Sequence, residues 1–155
     1  PIATDDPCNV HMEHSAELTE LFKKTPLLGD RTESGRQLEC HKNYNGHLDV
    51  YGRIYPHLPS NTITTGCNNP SKGRFVHPWL NHGITLRHAA RLQTFPDDYI
   101  FSGGSMAVAK QIGNAVPIKL GEALLKPIIR LLLTQQSVRD IPQSEKVYFD
   151  KECIR

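Results

Sequence analysis

From His47 to Trp79 the chain offers only short β-favouring stretches, Leu48 to Tyr51, Asn61 to Thr65 and Arg74 to His77, each broken off by Pro or Gly. This texture predicts a small, twisted antiparallel sheet with long loops. Gly66 to Gly73 is rich in residues that tolerate unusual backbone angles and present hydrogen-bonding groups without bulk. Such loops are where recognition usually sits.

Helical signals flank this region. Ser15 can cap a helix over Ala16 to Lys24, in which Leu18, Leu21 and Phe22 form an apolar stripe, and Thr25 with Pro26 ends it. Thr85 can cap a second, with Leu86, Ala89, Ala90 and Leu92 facing inward and Arg87 and Arg91, four apart, on another face. Phe95 to Asp98 closes it with a turn. A further helix is predicted after Gly113 and Asn114, with Pro117 in its first turn, running from Ile118 to about Leu133 and kinked at Pro127. Residues 1–16 read as an irregular leading segment and 27–45 as a loop. The fold class is therefore α+β, divided as 1–84 (sheet and loops), 85–134 (two helices) and 135–155 (a polar tail expected to be poorly ordered).

At 155 residues, 38% hydrophobic and 22% charged, the chain can bury one modest core. A net charge of +2 permits contact with a polyanion without demanding it. No run approaches the roughly 20 apolar residues of a membrane span, and Pro1 to Asp6 has neither a basic nor an apolar leader segment, which predicts a soluble, cytoplasmic protein. The absence of an initiating methionine suggests a piece of something longer. Four scattered cysteines, Cys8, Cys40, Cys67 and Cys153, form no Cys-x-x-Cys pair, so reduced thiols are expected. Cys8, His11, His14, Cys40 and His41 can be imagined as zinc ligands, but structural zinc sites use tighter paired spacing, and no metal is expected.

Two blocks, Arg87 to Tyr99 and Gln111 to Pro117, resemble in order and spacing the last two motifs of the DNA cytosine-5 methyltransferases of bacterial type. Asp49 to Ile54, Ser60 to Thr65 and Ser71 to Pro78 resemble the target recognition region of one branch of that family. The likeness spans roughly residues 45 to 130. In that family S-adenosylmethionine donates a methyl group to carbon 5 of a cytosine swung out of the duplex, after a cysteine thiolate adds to carbon 6. The family's Pro-Cys-Gln and Glu-Asn-Val motifs are not in this sequence. Cys8 follows a proline but lacks the glutamine and a Gly-rich strand before it, so no catalytic residue is expected here.

The resemblance implies a C-terminal portion that supplies DNA recognition and part of the cofactor pocket, its two helices returning to a Rossmann-like cofactor domain. Gly113, Asn114, Ala115 and Val116 match the motif that reaches the S-adenosylmethionine pocket. Thr62 and Ile63 match a dipeptide placed near the target nucleotide, where the threonine touches phosphate. Lys72 and Arg74 flank the flexible loop, where an arginine can approach guanine bidentately. Arg87 and Arg91 match arginines that organise the recognition domain, with Asp97 or Asp98 as partners. His88 departs from the family's glutamate, which predicts loss of the reciprocal capping-box acceptor at a cost of about 1 kcal/mol. The implied partners are double-stranded DNA and an N-terminal catalytic domain, in cis or as a separate subunit, in a restriction-modification system; the chain alone is expected to be inactive. A stand-alone DNA-binding module, or a split-enzyme subunit with no activity of its own, is the alternative. The apolar residues from Ile118 to Leu133 wrap most of the last helix, so the isolated chain is expected to self-associate through it or to leave it disordered.

Overall fold

Side-chain caps set the helix starts. In α1, Ala16–Lys24, the Ser15 hydroxyl accepts from the Leu18 amide at 3.2 Å, and the Thr25 hydroxyl at the other end donates to the Leu21 carbonyl at 3.0 Å. Phe22 is fully buried against Tyr51 and Val76, with Leu18 and Leu21 packed alongside. The computed structural model describes residues 5–35, 39 and 46–139, with side chains through Thr134, and its contacts divide the chain into a unit ending at Pro117 and a second starting at Ile118.

The main core of the first unit joins distant segments. Ile54, Ile63, Cys67, Phe75 and Ile84 meet Leu86, Ala89 and Ala90 of α2, Leu86–Leu92, and Val108, Ala109 and Ile112 of α3, Ser105–Asn114. Leu92, expected inward, is 38% exposed. The leading segment is also tied in: Asp6 caps a 3-10 turn over Pro7–Asn9 by accepting from the Cys8 amide at 2.9 Å, and Cys8 enters the same core.

No strand forms among the described residues, which corrects the expectation of a twisted antiparallel sheet. Only two isolated bridges occur, Arg53 with Val76 and Val76 with Gly83. Tyr51, at the end of the first expected strand, sits at φ 60°, which breaks any extended run there. Around these bridges the backbone pairing is limited to a few bonds: the Ile54 amide donates to the Val76 carbonyl at 3.0 Å, the Val76 amide to Gly52 at 3.1 Å and the Ile84 amide to Phe75 at 2.8 Å. Arg53 donates through Nε to the Thr25 carbonyl at 2.7 Å, through Nη1 to His77 and Leu80 carbonyls at 2.7 and 2.8 Å, and through Nη2 to the Phe22 carbonyl and, at 2.9 Å, to Asn81 Oδ1. The guanidinium fork thus satisfies carbonyls at the end of α1 and acceptors between His77 and Asn81.

α3 lies where no helix was expected. Gly104 caps it without a side-chain bond, and Gly113 and Asn114 form its last turn rather than preceding the next helix. The second unit is the long helix α4, Ile118–Arg139, which continues past Leu133 with Pro127 inside it. At 100° per residue, Leu120, Leu124, Leu125, Ile128, Ile129, Leu131 and Leu132 occupy about half of its circumference, and Lys119, Glu122, Lys126 and Arg130 share the other half with Leu133. The helix is therefore amphipathic rather than apolar all round. No described helix is long and apolar enough to cross a membrane.

Candidate functional site

Thr62, Lys72 and Arg74 line one cavity of about 370 Å³, together with His47 to Val50, Asn61, Thr64 and Gly73. The 3-10 turn Pro70–Lys72, capped by Asn69 Oδ1 accepting from the Ser71 amide at 3.0 Å, sets Lys72 at the rim. Thr62 and Lys72 are exposed, whereas Ile63 is buried in the core and serves as the anchor of its segment. Arg74 is 4% exposed. Its Nε donates to Asp49 Oδ1 at 2.8 Å, its Nη1 to the carbonyls of Leu28, Gly29 and Arg53, and its guanidinium lies 4.5 Å over the Tyr55 ring. A guanidinium so engaged shapes the cavity wall and is not presented for bidentate reading of a base. The other Asp49 oxygen accepts from Asn61 Nδ2 at 3.1 Å, so one carboxylate fixes both the loop and the threonine segment.

The 113–116 segment meets the same threonine segment from behind. A Cβ built on Gly113 would lie 2.4 Å from the Thr64 carbonyl carbon and 2.5 Å from the Thr65 nitrogen, so only glycine fits. Gln93 in turn donates through Nε2 to the carbonyls of Ile112 and Ala115, each at 3.1 Å, and closes the end of α3. Asn114 and Val116 remain exposed beyond that closure.

Arg87 and Arg91 hold different carboxylates. Arg87, buried, pairs with Asp6 at 2.5 Å through Nε and donates to the Tyr99 carbonyl at 3.0 Å; its bond to Asp6 holds that carboxyl below the usual carboxylate range. Arg91 takes Asp97 bidentately at 2.6 and 2.7 Å on the surface. Burial pushes the Cys8 thiol up, which disfavours the thiolate a nucleophile needs.

Five histidines, which no sequence pattern links, come together beside α2. His11 stacks on His82 at 4.1 Å, and His77 lies 5.5 Å from His82 and 5.4 Å from His88 between ring centres. Three of them accept backbone N–H bonds: His14 Nε2 from Gly83 at 3.1 Å, His77 Nδ1 from Trp79 and Leu80 at 3.2 Å each, and His88 Nδ1 from Thr85 at 3.3 Å. An imidazole that accepts is neutral, and burial lowers all three, His77 to about 4. The bond to His88, with the Thr85 hydroxyl accepting from the His88 amide at 3.1 Å, completes a reciprocal capping box. The expected loss of that box at His88 is thereby corrected, because an imidazole nitrogen takes the place of the carboxylate oxygen. Among the described residues no group of three or more His, Cys, Asp or Glu could hold a metal ion; Cys40 and His41, two of the imagined zinc ligands, lie outside the described residues.

A family profile described as C-5 cytosine-specific DNA methylase matches residues 8–130. Type II methylase M.HgiDII of Herpetosiphon aurantiacus is 46% identical over 100 residues, covering 61% of this chain and 28% of that protein. Type II methyltransferase M1.BsuMI of Bacillus subtilis is 39% identical over 126 residues, 77% of this chain and 29% of that protein. Type II methyltransferase M.AgeI of Thalassovita gelatinovora is 34% identical over 116 residues, 75% of this chain and 25% of that protein. The chain thus spans less than a third of the length of these relatives.

Proposed function

Because the chain belongs to the C-5 cytosine-specific DNA methylase family, we propose that it is the C-terminal portion of a DNA cytosine-5 methyltransferase, carrying target recognition and the closing motifs. The whole enzyme would methylate carbon 5 of a flipped-out cytosine in double-stranded DNA, in the cytoplasm and within a restriction-modification system. The reactive cysteine would come from the remainder of the protein, since Cys8 is buried with its thiol pushed up. The observation that carries this reading is the seating of Gly113 on Thr64 and Thr65. It locks the closing motif to the segment that bears Thr62, so that a cofactor-side edge and a DNA-side edge move as one piece.

The roles divide by exposure. Thr62 offers a hydroxyl and Lys72 a charge at the rim of one cavity, which suits phosphate contacts that set register without reading sequence. Arg74, Arg87 and Arg91 are scaffold residues. S-adenosylmethionine, when bound, supplies an electrophilic methyl group. Asn114 offers donor and acceptor beside the exposed, apolar Val116, which suits one edge of a nucleoside-binding pocket and is too little for a whole one. Gly113 and Ala115 position that edge.

The test pairs this chain with the part of M.HgiDII that the match leaves uncovered, and follows labelled methyl transfer from S-adenosylmethionine to DNA. Incorporation is expected only when both parts are present. In parallel, the chain alone should bind duplex DNA with strong salt dependence, and Lys72→Ala should reduce the slope of log affinity against log salt by about one. DNA binding without complementation favours a stand-alone binding module instead. No DNA binding overturns the proposal.

A further inference from the structure

We infer that the cavity beside Trp79 binds an unstacked guanine of the DNA engaged by the adjoining Thr62 face. This rests on the DNA-binding reading above and adds to it a base-holding site outside the 113–116 segment. The cavity measures about 330 Å³, within the range of small-ligand sites, and Ser60, Tyr55, Trp79, His77, His88 and Arg91 are among its lining residues. Trp79 is 66% exposed on its wall, with His77 meeting its ring at an edge 5.8 Å away between ring centres. An exposed indole on a cavity wall is a stacking platform for a nucleic acid base.

The polar groups of this cavity favour guanine. His77 and His88 each use Nδ1 to accept backbone N–H bonds, so each neutral ring carries its proton on Nε2 and can only donate there. Arg91 also lines the cavity, but Asp97 holds its Nε and Nη2, so the two histidine N–H groups are the donors offered to a base. A site rich in fixed donors selects a base edge rich in acceptors, and guanine presents N7 and O6 together where adenine pairs its N7 with a donor amine. The backbone bonds that consume Nδ1 thus also fix what these two histidines can recognise.

Position argues for a base attached to DNA rather than a free nucleotide. Ser60 borders this cavity and Asn61 and Thr62 border the cavity of Lys72 and Arg74. Two residues of extended chain span no more than about 7 Å, so a phosphate at Thr62 and a base held at the Ser60 side of the cavity can belong to neighbouring nucleotides. Tyr55 forms part of the guanine cavity while its ring carries the Arg74 guanidinium, which makes the wall between the two cavities a shared one.

Trp79 is the chain's single tryptophan, so its fluorescence reports the site directly. The full chain is titrated with a duplex carrying one unpaired guanine, the same duplex with an unpaired adenine, with an abasic site at that position, and fully paired. The expected result is quenching of Trp79 by the guanine duplex and roughly tenfold tighter binding than to the abasic one, with adenine between them. Trp79→Ala should remove that preference and Trp79→Tyr should retain most of it, while circular dichroism shows both variants folded. Equal affinity for guanine and abasic duplexes, or DNA binding with unchanged Trp79 emission, overturns the base site and leaves the DNA-binding reading standing. Absence of binding to all four duplexes overturns both.

Discussion

Gly113, in the last turn of α3, stands so close to Thr64 that a Cβ on it would lie 2.4 Å from the Thr64 carbonyl carbon. The atoms in the way are backbone, held by the burial of Ile63 and Cys67 on either side, so they cannot swing aside as a side chain tip can. Gly113→Ala is expected to destabilise the first unit by about 1–3 kcal/mol, the scale of overpacking a tight interior. Urea unfolding followed by circular dichroism measures this. A midpoint unchanged from the parent would mean that the two segments are not seated on one another.

Arg53 supports a second prediction. Its guanidinium serves four carbonyls and one side-chain amide oxygen from two stretches of chain, Phe22 to Thr25 and His77 to Asn81, and burial pushes its pKa down. Arg53→Leu leaves those acceptors buried without donors and should cost at least about 1–3 kcal/mol, the penalty for even one unsatisfied buried acceptor. Arg53→Lys should rescue little, because one ammonium cannot reproduce the planar fork. Full rescue by lysine in thermal melts would show that charge rather than geometry is what the loop needs.

These arginines also explain which parts of the fold were legible in the sequence. α1 and α2 could be read because Ser15 and Thr85 cap them locally and the apolar spacing follows. The expected strands could not be tested against anything local. Whether Arg74 to His77 extends a ladder depends on partners outside the run, and its backbone bonds go to Gly52 and Ile54 on one side and to His82 and Ile84 on the other. α3 was missed because Gly104 gives no side-chain cap, and its closing Gly113 and Asn114 looked like the approach to the next helix. At the candidate site, Thr62 and Lys72 meet at one cavity, a proximity that no sequence spacing announced. The inward turn of Arg74 and the gathering of five histidines from positions 11 to 88 are tertiary facts with no periodic signal.

The histidine cluster predicts a pH dependence with a definite sign. His14, His77 and His88 must be neutral to accept their backbone bonds, and burial lowers each below the ordinary 6.5, His77 to about 4. His82 and Arg53 near His77, and Arg91 near His88, act in the same direction. The unfolded chain therefore binds more protons than the folded one between those values. The stability these histidines contribute is complete above about pH 6.5 and is lost as pH falls toward about 4. His88→Gln keeps an acceptor for the Thr85 amide without a titrating ring, so its melting temperature should fall less steeply over that window. An identical profile for the variant and the parent would remove His88 from the effect and leave it to His14 and His77.

The apolar face of α4 gives the last prediction. Leu124, Ile128 and Leu131 follow one another at helical spacing and are 58%, 52% and 63% exposed, with Leu125, Ile129 and Leu132 in the adjoining row. Each such side chain gains about 1.5–3 kcal/mol on full burial. A face this wide, opposite Glu122, Lys126 and Arg130, drives association whenever two copies can bring their rows together. Sedimentation velocity of the chain should show oligomers that grow with concentration. Leu124→Glu combined with Leu131→Glu places charge in the middle of the face and should give a monomer, while the first unit, whose core uses neither residue, melts as before. A parent chain that stays monomeric at every concentration would overturn the self-association expected of the isolated chain.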